Sequence, residues 1–113
     1  MIVAKHEFGI MQKEPLAKER FDTYEPQKYN CIAVDDDFIE PIMIDLQDVD
    51  CYWHTLQKSG KGFAYCGITL IPPQSMTAFL KILASQSKKE YIPLITLVNE
   101  AKENSRYIIH FGI

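Results

Sequence analysis

Two helical patterns stand back to back between two strand patterns, and that order limits the fold more than any other feature of the chain. Met76, Phe79, Leu80 and Leu83 recur at i, i+3, i+4 and i+7, and so do Leu94, Leu97, Val98 and Ala101. Each set makes one apolar stripe on a 3.6-residue helix. Before them lies Phe63 to Ile71 (FAYCGITLI), and after them Arg106 to Phe111 (RYIIHF). Both are rich in aromatic and β-branched residues, as strands are. Pro72-Pro73 ends the first strand, because proline cannot donate to a sheet ladder. The last strand is expected inside the sheet, since a loose apolar edge aggregates.

Upstream, Asn30 to Val34 (NCIAV) reads as a buried strand that ends at Asp35-Asp36-Asp37. Ile39, Ile42, Met43 and Leu46 then predict a short helix over 38–47. Asp37 is its expected N-cap, Glu40 follows three residues on, and Pro41 falls in the first turn. A strand through Ile42-Met43-Ile44 is the competing reading. Cys51 to Leu56 (CYWHTL) predicts a strand joined to FAYCGITLI by the turn-like QKSGKG, an antiparallel hairpin. Gly67 inside the second strand suggests a bulge or a close backbone approach, and Asn104 a left-handed helix cap. Ile2-Val3-Ala4 is a candidate strand opening. The rest of residues 1–28, with Pro15 and Pro26, is expected to be irregular and packed on the domain, with Phe21 and Tyr24 pinned to the core.

From residue 29 the order is β-α-β-β-α-α-β. It predicts an α+β domain: a mostly antiparallel sheet with helices on one face. The length of 113 residues fits one domain, 1–113. A chain of this size buries roughly 65% of its unfolded surface, enough for a core of its own.

The formal net charge of −3 hides a division. Residues 29–57 hold no Lys or Arg but seven acids: Asp35, Asp36, Asp37, Glu40, Asp45, Asp48 and Asp50. The remainder carries twelve bases against eight acids, a net of +4. Asp favours caps and turns, so local structure explains part of the cluster. A docking surface for a basic partner is the second reading, because clustered charge speeds association and selects partners. A calcium or magnesium site is the third. The acids lack the spaced loop and terminal Glu such a site uses, and no metal or cofactor is expected.

The acidic balance also argues against a nucleic-acid partner. No stretch approaches the roughly 20 apolar residues of a membrane span. The start, MIVAKHE, lacks the basic and apolar regions of a signal peptide. The chain is therefore read as cytoplasmic, with Cys31, Cys51 and Cys66 as reduced thiols.

No motif names a reaction. Cys66 with His54 or His110 is the one conceivable nucleophile pair, and a small enzyme or ligand-binding pocket built on these three is the alternative reading. Tyr52, Trp53 and Tyr65 on the hairpin read first as packing residues and second as interface anchors. A homodimer through exposed strands is a third reading.

The pieces YNCIAVDDDFIEPI, CYWHTL, GFAYCGITLIPPQS and YIIHFGI span about three quarters of the chain. They resemble a group of small bacterial proteins similar in size and style to the immunity proteins encoded beside secreted polymorphic toxins. The resemblance implies a non-enzymatic cytoplasmic inhibitor that masks a toxin domain. It carries over no functional residues. Taken with the charge division, it makes the seven acids the expected contact for a basic partner, with Tyr52, Trp53 and Tyr65 as anchors.

Overall fold

The computed structural model describes residues 4–113. Six strands form one sheet: β1 (Lys5–Ile10), β2 (Ile32–Asp35), β3 (Asp50–Trp53), β4 (Ser59–Lys61), β5 (Ile68–Ile71) and β6 (Ile108–Phe111). Their order is β2-β1-β6-β5-β3-β4, and every neighbouring pair is antiparallel. The α+β class and the antiparallel sheet are as the sequence predicts. β6, the last strand, lies between β1 and β5, inside the sheet.

β1 departs from expectation. The expected strand opening at Ile2-Val3-Ala4 lies outside the described residues except for Ala4, which is not in a strand. Instead Lys5–Ile10, expected to be irregular, is a central strand. His6, Phe8 and Ile10 are buried, while Lys5 is exposed and Glu7 half-exposed. The side chains alternate between the two faces, although Gly9 on the outer face is buried as well, and a histidine takes an inward position where an aliphatic residue is usual.

The hairpin also differs. Strand β3 stops at Trp53, because His54 takes a positive φ of 66° and turns the chain away. Part of the expected turn is a strand: Ser59, Gly60 and Lys61 pair with Tyr52, Cys51 and Asp50. Phe63 to Gly67 is not strand. It ends in a turn closed by the Gly67 N–H on the Ala64 carbonyl at 2.9 Å, and only Ile68–Ile71 joins the sheet. Gly67 is a close approach rather than a bulge, since a Cβ there would stand 2.8 Å from His54 Nε2.

The 38–47 helix begins two residues early and breaks in the middle. It runs as α1 (Asp36–Ile39), a 3-10 turn (Glu40–Ile42) and α2 (Met43–Leu46). Pro41 has no N–H for the Asp37 carbonyl, so the α-pattern lapses there. Asp37 lies inside α1 and is not its cap. The predicted apolar face holds: Ile39, Ile42 and Leu46 are fully buried.

α3 (Met76–Ser85) and α4 (Ile92–Glu103) follow, each led in by a 3-10 turn. Met76, Phe79, Leu83, Leu94, Val98 and Ala101 are buried as predicted, with Leu80 and Leu97 half-buried. At the end of α4 the left-handed residue is Ser105 (φ 52°), not Asn104. Ser105 N–H reaches the Lys102 carbonyl and Arg106 N–H the Ala101 carbonyl at 2.9 Å, a Schellman closure that turns the chain into β6.

Helices α1 to α4 pack on one sheet face, around Phe8, Ile10, Val34, Cys51, Ile71 and Ile108. The other face carries Ile68, Leu70, Ile109 and Phe111. Phe21 and Tyr29 from the N-terminal segment, with Leu56, lie against it. That segment is fastened by the Phe21 N–H on the His54 carbonyl at 2.7 Å.

Candidate functional site

The seven acids follow the connection from β2, at one edge of the sheet, to β3, beside the other edge. They are not equivalent. Asp35 faces Lys5 at 3.9 Å, and Asp50 pairs with Lys61. Asp36 turns inward, as described below. Asp37, Glu40, Asp45 and Asp48 are exposed and have no ion pair among the described residues. Between them on α2 stands Ile44, 69% exposed, among the largest apolar exposures of the chain.

The three aromatic candidates do not share a surface. Tyr52 lies on the face covered by the N-terminal segment, where it packs with the Leu70 and Phe111 cluster. Trp53 points the opposite way. Its Nε1–H donates to the Gly62 carbonyl at 3.0 Å, its ring lies against Gly60, and the Lys58 ammonium stands 6.0 Å from its centre. Only Tyr65 meets the acidic stretch, donating its hydroxyl to Asp36 Oδ1 at 2.5 Å. That bond to a carboxylate pushes the Tyr65 phenol up to about 12.

The thiols and histidines of the alternative pocket are not assembled either. Cys66 is exposed on the 64–67 turn and makes no hydrogen bond to a histidine among the described residues. Burial pushes the Cys51 and Cys31 thiols up to about 12, which leaves them protonated and inert at neutral pH. His54 is a fastener. Its Nδ1 stands 3.0 Å from both the Phe21 carbonyl and Asp22 Oδ1, and its Nε2 accepts the Ile68 N–H at 3.4 Å. His110 is fully buried and faces other partners.

Those partners form the most distinctive polar structure in the molecule. His6 Nε2 lies 2.9 Å from Asp36 Oδ1, His6 Nδ1 lies 2.8 Å from His110 Nε2, and His110 Nδ1 lies 3.1 Å from Thr69 Oγ1. Thr69 Oγ1 accepts the Ala64 N–H at 2.8 Å. His6, His110 and Thr69 are fully buried, and the Asp36 side chain is 23% exposed. The two imidazoles lie nearly in one plane, 16° from parallel with centres 5.1 Å apart, as an in-line bond between ring nitrogens requires, and Phe63 stacks on His110 at 4.4 Å. Burial and the adjacent His6 push the His110 imidazole well below the ordinary histidine range. The Tyr65 hydroxyl and then His6 lower the Asp36 carboxyl. Sequence reasoning passed over His6. The signal available was its place in the alternation His6, Phe8, Ile10, an inward position on a strand.

Among the described residues, no three His, Cys, Asp or Glu side chains converge as metal ligands. No helix there is long and apolar enough to cross a membrane. A cavity of about 410 Å³ lies on the opposite face, between Met11, Leu16, Phe21 and Tyr29, and neither the seven acids nor a histidine lines it. Comparison with known protein families, curated proteins and solved structures finds no match.

Proposed function

We propose that the chain is a non-enzymatic binding module of the immunity type, cytoplasmic, whose acidic stretch covers a basic face of a toxin domain. One observation carries this reading. Asp37, Glu40, Asp45 and Asp48 stand exposed and form no ion pair among the described residues, around the exposed Ile44. Unpaired like charges repel one another and add nothing to the stability of the free chain. Facing a basic partner they steer association and set orientation, and Ile44 supplies an apolar contact at their centre. Tyr65 belongs to this surface through Asp36. The packing of Tyr52 and Trp53 gives them no such tie.

The test is titration of the chain with a toxin domain encoded beside its gene, at low and high salt; a gene with no such neighbour counts against the reading. Binding should weaken steeply with salt. The D37K/E40K/D45K/D48K variant should keep its fold and lose binding at least a hundredfold. Unchanged affinity and unchanged salt dependence in that variant would overturn the reading.

A further inference from the structure

Asp36, His6, His110 and Thr69 form a single file of hydrogen bonds from the rim of the helix layer to the middle of the sheet. Its ends fix its direction. An ionised Asp36 only accepts, and the Ala64 amide only donates. With both rings neutral, one arrangement satisfies every atom. His6 donates Nε2–H to Asp36, so its bare Nδ1 accepts Nε2–H from His110. The bare Nδ1 of His110 then accepts the Thr69 hydroxyl proton, and Thr69 Oγ1 accepts from Ala64. These proton positions are assigned from the heavy-atom network.

We propose that this file is a one-proton switch: acidification adds a single proton to the His6–His110 pair and reverses the bonds between Thr69 and His6. The proton comes from solvent. His110 gains a hydrogen at Nδ1 and passes the one on Nε2 to His6 Nδ1. The product is an imidazolium on His6 against the Asp36 carboxylate. His110 stays neutral and now donates to Thr69 Oγ1, whose hydroxyl rotates to turn its second lone pair to the ring and gives up the bond it had donated. A second proton has no place, because N–H would then face N–H across 2.8 Å.

The groups around the pair support this assignment. Asp36 faces it from α1, Tyr65 from the 64–67 turn and Thr69 from β5. Glu40 and Cys66 bear on Tyr65. Phe8 and Phe63 cover His110 with apolar rings. Asp36 is thus the charge in direct contact, and it draws the proton to His6. For the acidic stretch the consequence is a smaller negative charge at its root in acid. That consequence rests on the binding reading; the switch does not.

The test uses the ¹⁵N-labelled full chain and long-range ring-nitrogen spectra from about pH 8 to about pH 4.5. At the basic end both rings should carry hydrogen on Nε2. On acidification the two rings together should gain one proton. His6 should become protonated at both nitrogens, while His110 exchanges Nε2–H for Nδ1–H. Asp36→Asn should lower the midpoint of the pair by at least about one pH unit, a tenfold loss of proton affinity. If that variant does not fold, Tyr65→Phe serves, and should raise the midpoint by removing a competing donor from the carboxylate. Two independent titrations near the ordinary value of about 6.5, no uptake by either ring, or a His110 that keeps Nε2–H throughout would each overturn the switch. The spectra need no partner, so failure of the binding reading leaves this result standing.

Discussion

Acid should destabilise this protein earlier than its carboxylates alone predict, and the buried histidine pair sets the slope. In the unfolded chain His110 titrates near about 6.5. In the folded chain burial and His6 hold it well below that range. A native ring that resists protonation means the unfolded state binds more protons in acid. Stability is therefore complete above about pH 6.5 and is lost as the pH falls from there toward the native value. While His110 stays neutral, each full pH unit below that point costs about 1.4 kcal/mol for the one missing proton. That slope acts against a total of about 5–15 kcal/mol for a domain of this kind. The lowered Asp36 and Asp22 carboxyls add their loss only below the usual carboxylate range. Urea unfolding at half-unit steps from about pH 7.5 to about pH 4.5 measures this, provided the m-value is constant. The H6F/H110L variant replaces both partners with apolar groups and should flatten the curve in that window. A flat wild-type curve, or an equal slope in the variant, would refute the reasoning.

Three further outcomes follow from packing and exposure. A thiol reagent at neutral pH should modify Cys66 alone at a fast rate, with Cys31 and Cys51 reacting only on unfolding; mass spectrometry over time counts the adducts. Gly9→Ala should destabilise by about 1–3 kcal/mol in urea unfolding, because its Cβ would stand 2.7 Å from the Tyr29 carbonyl oxygen and 2.8 Å from Cys31 Sγ. Phe79→Ala should cost about 3–5 kcal/mol, since the ring is fully buried against Phe8 and Phe63.

What the sequence disclosed divides along physical lines. The helical stripes of α3 and α4 were legible because one apolar face repeats over several turns, and β6 because its residues suit only a buried strand. The break in the first helix was legible only as Pro41. A proline's missing N–H is harmless in a first turn, but α1 begins at Asp36, so Pro41 falls past that turn and into the 3-10 turn Glu40–Ile42. β1 was hidden because its inward positions include a histidine and its outward ones a glycine, so an apolar count does not alternate. The division of β4 from β5 depends on the positive φ of His54 and on the 64–67 turn, which composition does not signal. The acidic stretch was visible as charge, but the inward turn of Asp36 depends on β1, which was not foreseen.

The histidine file also answers a problem that hydrophobic patterning leaves open. All four residues of β5 and all four of β6 are buried, so neither strand has a wet face. Alternation therefore cannot fix their register, and a slip by one residue would carry each side chain to the opposite face at little apolar cost. Thr69 and His110 are the two polar side chains in these strands, and they lie directly opposite one another. His110 also stands opposite Phe8, beside the inward His6 of β1. A one-residue slip would turn His110 away from His6 and Thr69 toward the Leu70 and Phe111 face, where its nitrogens meet apolar side chains. Leaving such a buried group unpaired costs about 1–3 kcal/mol. The file joins residues 104, 41 and 30 positions apart, so it is complete only when β1, β5, β6 and α1 are all in place. Its value to the fold lies in choosing one pairing of the first and last strands over its neighbours, a role that two leucines at the same positions would not fill.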